Sequence, residues 1–154
     1  SVNKRWRIFK FLGGFPLDAY ENNLPSTGVV DRLQIAQYPS GVGELELHSD
    51  PYLNQKIAIS GIMSKRGMDY KTGGAYILNS NKEKTDIEDD MDIGDIYLVY
   101  PTVFHGVETI DKGNEVDWSS FSGRWFMGLY SNASDCYAKR HTCYGVEDQV
   151  LSGG

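Results

Sequence analysis

The chain has 154 residues, 40% of them hydrophobic and 23% charged. That is enough for one domain burying roughly two-thirds of the surface its unfolded form exposes, and too little for a second catalytic domain. Fifteen Lys plus Arg against 21 Asp plus Glu leave a net charge of -6, which repels phosphate backbones and anionic membranes, so no nucleic acid and no membrane is expected as partner.

The opening SVNKRWRIFKF lacks the apolar core of a secretory signal, and no run approaches the roughly 18 apolar residues of a membrane span. Ser1 in place of Met leaves processing or truncation open. Residues 1–30 contain Gly13-Gly14, two prolines and one short helix-compatible stretch at Asp18 to Asn22, and are expected to be packing cover. From Asp31 the texture changes to short apolar runs broken by turn residues, the mark of an all-β sandwich or barrel. Arg32 to Tyr38 alternates; Pro39-Ser40-Gly41-Val42-Gly43 turns the chain; Glu44 to His48 follows. Gln55 to Ser64 is a longer β-branched run, and Ala75 to Asn79 follows Thr72-Gly73-Gly74. The charge run Asn81 to Asp92 lacks the ligand spacing of a calcium loop and reads as a solvated loop. Asp95 to Tyr100, Val103 to Ile110 and Arg124 to Tyr130 complete the strands, the last two separated by the polar segment Asp111 to Gly123. The expected fold is all-β with minor helices: one domain, a double-stranded β-helix jelly roll of cupin-like barrel form over residues 31–130, with a C-terminal extension over 131–154. In that extension Cys136 and Cys143, the only cysteines, form no disulfide framework, so a reduced, cytoplasmic setting is expected; His141 reads as part of a solvated cluster, and Asn132-Ala133-Ser134 matches a glycosylation triplet that is common by chance.

The chemistry gathers on few residues. In His48-Ser49-Asp50 the imidazole and the carboxylate stand two apart, on one face of a strand. His105 opens a later strand and shares a face with Val103 and Val107. Two histidines and one carboxylate on one face of an octahedral ion leave three open positions, the arrangement of non-haem Fe(II) oxygenases, and the missing thiolate disfavours structural zinc. Arg124, opening the final strand, presents a guanidinium suited to a dicarboxylate cosubstrate. Each residue has a plainer reading: either histidine as a structural hydrogen-bonder, Asp50 as a turn starter before Pro51, Arg124 as a salt-bridged arginine, Tyr38 as strand filling. Trp118, Phe121, Trp125 and Phe126 read as packing and loop-anchoring residues. Glu44 and Glu46 would share the face of His48 unless a bulge after Gly43 resets the phase, which is expected.

At these residues the chain resembles the 2-oxoglutarate and Fe(II)-dependent dioxygenases, in their prolyl-hydroxylase-like and phytanoyl-hydroxylase-like branches. LQIAQYPSGVGELELHSDPY is similar to the segment that ends in that family's His-x-Asp, TGGAYIL to its Gly-Gly-led strand, GDIYLVYPTVFHGVETI to the strand pair bearing the distal histidine, and SGRWFMGLY to the last strand with the cosubstrate arginine. The resemblance implies that His48, Asp50 and His105 bind Fe(II), that Arg124 holds the distal carboxylate of 2-oxoglutarate, and that Tyr38 lines the cosubstrate pocket. It also implies that O2 completes the site, giving succinate, CO2 and hydroxylation of a C–H bond in a small-molecule or peptide substrate. Arg124 lies farther past His105 than the family usually places its basic residue, making Asp111 to Gly123 an inserted loop and Lys112 the alternative anchor. The rivals are a redox-silent cupin, such as an isomerase or epimerase, and a non-catalytic carbohydrate-binding jelly roll.

Overall fold

A computed structural model describes residues 29–52, 56–133 and 144–145. Nine strands run in chain order: β1 (Val29–Pro39), β2 (Leu45–Ser49), β3 (Ala58–Ile62), β4 (Gly74–Leu78), β5 (Lys84–Asp86), β6 (Ile96–Val99), β7 (His105–Glu108), β8 (Gly123–Ala133) and β9 (Tyr144–Gly145). They form two antiparallel sheets, β1-β8-β3-β6 and β5-β4-β7-β2-β9, and neither closes on itself. The described residues contain no helix, hence none long and apolar enough to cross a membrane. The short stretch at Asp18 to Asn22, both cysteines, His141 and the Asn132-Ala133-Ser134 side chains lie outside what is described.

The pairings are nested. β1 pairs with β8, β2 with β7, β3 with β6 and β4 with β5, while β3·β8 and β4·β7 join these hairpin-like pairs into two layers. Alternation then assigns the faces of the first sheet. On β1 and β8, Arg32, Gln34, Tyr38, Arg124, Phe126 and Tyr130 line a cavity between the layers, whereas Ile59 and Leu129, registered against each other on adjacent strands, pack with Ile57 on the opposite face. Between the layers Tyr70, Ala75, Val107 and Ile110 form a second buried cluster, closed by Tyr38, Ile87 and Tyr97.

Most strands lie where the alternation predicts them, with ends displaced by a few residues: β1 and β8 run longer, and β3 and β7 shorter. One expectation is overturned. The charge run Asn81 to Asp92 is not a solvated loop throughout, because Lys84–Asp86 forms β5 and pairs with β4. A three-residue edge strand with all its side chains exposed needs only backbone hydrogen bonds, so its composition carries no hydrophobic signal. The turn before it is shaped by Asn79, whose side-chain oxygen accepts from the backbone N–H of Asn81 and of Glu83, and by Lys82 at a φ of 62°.

Candidate metal centre

The turn at Pro39–Gly43 reverses the chain between the two sheets, with Gly43 N–H donating to Pro39 O at 2.8 Å. Beyond it, β2 carries Leu45 and His48 toward the cavity. These positions are three apart, which strict alternation forbids, and the β2–β7 register shifts between them. The expected irregularity is present, slightly later than Gly43. It leaves both glutamates outside: Glu44 and Glu46 are exposed, and Glu44 accepts from the Thr109 hydroxyl at 2.5 Å.

His48 on β2 faces His105 on β7 in direct register, with ring centroids 4.4 Å apart. Each Nδ1 lies against the carbonyl two residues earlier, His48 on Glu46 O at 2.7 Å and His105 on Val103 O at 2.8 Å. A carbonyl only accepts, so each Nδ1 carries the proton and each Nε2 presents its lone pair. Both Nε2 atoms turn toward Asp50, at 3.8 Å from Oδ1 for His48 and 3.6 Å from Oδ2 for His105. Asp50 is held by its backbone N–H, which donates to the carbonyl of fully buried Pro101 at 2.8 Å. The three donor groups lie within 4.8 Å of one another and form a set that can hold a metal ion. Ligand bonds of about 2.0–2.2 Å bring neighbouring donors to roughly 3–3.5 Å, so the spacings at Asp50 are only a few tenths of an ångström wide.

Burial dominates the electrostatics of the group. Burial pushes the Asp50 carboxyl above its ordinary value, against the opposing pull of His105 and His48, and burial pushes His105 down, toward the neutral ligand form. A divalent ion would supply the positive charge that this desolvated carboxylate needs.

Arg124 and Tyr38 share the cavity with the three donors, and Lys112 does not. Lys112 instead borders a separate exterior groove with Glu44, Thr72, Lys84 and Glu108, because the chain turns outward after Ile110 at Asp111, where φ is 47°. Lys112, the alternative anchor, thus lies outside the cavity that holds the three donors. Asp111 fastens the start of the inserted loop: its Oδ1 accepts from the N–H groups of Lys71 and Thr72 at 2.7 and 2.9 Å, and its Oδ2 accepts from the Ser40 hydroxyl at 3.0 Å. Farther on, Phe121 stacks on Trp125, whose indole N–H donates to Phe121 O at 2.8 Å, but Trp118 and Phe121 stand 79% and 81% exposed, contrary to a packing role.

Arg124 is 2% exposed and is not free. Its Nε donates to Glu88 at 2.8 and 3.1 Å and its Nη2 to Glu88 Oε1, a buried ion pair in which Tyr70 OH adds a third donor at 2.7 Å. Burial pushes the Glu88 carboxyl up, but the Arg124 fork and the Tyr70 hydroxyl outweigh it and hold the group below its ordinary value. Arg124 Nη1 alone has no hydrogen-bond partner although it is buried. The rings of Tyr38 and Phe126 flank the guanidinium at 5.2 and 5.3 Å. Glu88 is the residue that sequence reasoning missed. It lies in a run of acidic residues with no periodicity, and only the β4–β5 pairing shows that the chain there turns inward.

No protein family, curated protein or solved structure matches the chain.

Proposed function

We propose that the protein is a non-haem Fe(II) oxygenase that uses 2-oxoglutarate as cosubstrate and hydroxylates a C–H bond of a small metabolite or peptidyl side chain, on a jelly-roll scaffold. The nested pairing of β1 with β8, β2 with β7, β3 with β6 and β4 with β5 supports that scaffold, since it is the order produced by rolling up one long hairpin. One observation carries the functional reading. Two imidazoles, each fixed by an Nδ1–H to a local carbonyl, turn their Nε2 lone pairs on the same carboxylate inside a cavity of about 250 Å³.

Among the described residues the donor set fits iron: two neutral nitrogens and one carboxylate, with no fourth His, Cys, Asp or Glu in the group. The orphaned Arg124 Nη1 fits a ligand carboxylate at the other end of the cavity. When bound, iron with the oxo acid and O2 supplies C–H oxidation, the oxo acid leaving as succinate and CO2. The chain's own residues do the rest. His48 and His105 hold the ion from one wall, and Asp50 neutralises part of its charge. Arg124 grips the distal carboxylate through Nη1, with the fork held still by Glu88 and the face covered by Tyr38. Ala58, Val99, Ile77 and Ile87 make the neighbouring walls apolar.

The redox-silent cupin reading is favoured by one specific feature: Glu88 already counters the charge of Arg124, which weakens the pull on a second carboxylate. A single experiment separates the two. Anaerobic Fe(II) plus 2-oxoglutarate is expected to give a weak visible charge-transfer band, and air then succinate even without prime substrate. A colourless mixture without succinate rejects the oxygenase.

A further inference from the structure

Two guanidinium groups reach the cavity, and they differ in kind. Arg124 is buried and countered by Glu88. Arg32 is exposed, lines the same cavity, and has no acidic partner among the described residues, in a chain whose acidic groups outnumber its basic ones 21 to 15. Gln34 lies beside it on the same face of β1, also lining the cavity and likewise without a hydrogen-bond partner among the described residues. Both alternate in phase with Tyr38, but Tyr38 pairs with Arg124 at one end of the β1–β8 ladder and Arg32 pairs with Tyr130 toward the other. Six steps along the strand separate Arg32 from Tyr38, about 20 Å at the rise of an extended chain. A 2-oxoglutarate held at the Tyr38 end is far too short to span that length, so Arg32 serves something else.

Resting on the oxygenase reading for its reacting centre, we infer that Arg32 and Gln34 recognise the carboxylate of the prime substrate, a small aliphatic acid. The Arg32 fork receives the carboxylate bidentately, and the Gln34 amide donates a further hydrogen bond. The substrate body then lies along the apolar wall of Ala58, Val99 and Ile77 toward the His48–Asp50–His105 group. An exposed guanidinium at the mouth also draws anions toward a cavity that the net charge of the chain would otherwise repel.

The test is calorimetric titration of the protein, as isolated and after anaerobic incubation with Fe(II) and 2-oxoglutarate, with short aliphatic carboxylates and free amino acids, each against its own carboxamide. At least one carboxylate is expected to bind about tenfold or more tighter than its carboxamide, the worth of a charge-assisted contact. Arg32→Gln is expected to level the pair, Arg32→Lys to keep part of the difference, and Lys112→Gln, outside the cavity, to leave it unchanged. Competitive displacement of the probe by 2-oxoglutarate overturns the inference, because Arg32 would then be the cosubstrate anchor. Equal binding of acid and amide, an undiminished preference in Arg32→Gln, or no binding by any carboxylate overturns it too. Iron content is read separately: carboxylate preference in a protein that retains no iron rejects the metal reading and leaves the anion site standing.

Discussion

Removing the charge of Glu88 while keeping its shape, by Glu88→Gln, isolates the electrostatics of its buried ion pair with Arg124. Side-chain exposures of 2% for Arg124 and 3% for Glu88 put the pair beyond solvent screening. Breaking such a pair from one side leaves an uncompensated buried charge, at about 3–5 kcal/mol. Against a total stability of roughly 5–15 kcal/mol, that is a large fraction. At about 2–4 °C per kcal/mol for a chain of this size, the midpoint should fall by roughly 10 °C. Replacing both partners with Met, together with Tyr70→Phe so that no hydroxyl is orphaned, should recover most of the loss, because the desolvation of two ions disappears with them. Urea unfolding at constant slope is the assay. The sign with pH is also determined. The folded Glu88 carboxyl sits below its ordinary value of 4.5, so its stabilisation is complete above that value and is lost as the pH falls through the depressed one. Glu88→Gln should remove that part of the acid sensitivity. A loss under about 1 kcal/mol, or single-mutant losses that simply add in the combined variant, would refute the buried-pair argument.

Other outcomes follow from the site. His48→Ala, Asp50→Ala and His105→Ala should each abolish iron retention, read by elemental analysis after gel filtration; unchanged iron in the variants rejects the ligand assignment. Arg124→Lys keeps a cation against Glu88 but deletes the Nη1 donor, so the 2-oxoglutarate concentration needed for half-maximal succinate release should rise about tenfold or more while the melting temperature changes far less than in Glu88→Gln. Gly106→Ala should cost about 1–3 kcal/mol, because the added methyl would stand 2.7 Å from Tyr76 Oη and 2.8 Å from Leu45 O; a variant as stable as the parent, with iron retained, means that β7 does not pack against β2 as described.

The strand pattern and the His48–Asp50–His105 group that could hold a metal were legible in the linear chain because both rest on local rules. Alternation marks a strand facing two environments, and His-x-Asp is a spacing of two on such a strand. The phase break after Gly43 was legible for the same reason: two glutamates on an interior face have no stable place there. The tertiary structure alone decided how His105 meets His48, since their register depends on which of the nine strands pair. It likewise decided that Lys112 turns outward, and that Glu88, from an acidic run that reads as solvated, enters the interior to meet Arg124. A buried ion pair is chosen by three-dimensional proximity in a desolvated space, and a charged side chain thirty-six positions away in sequence gives no periodic trace of it.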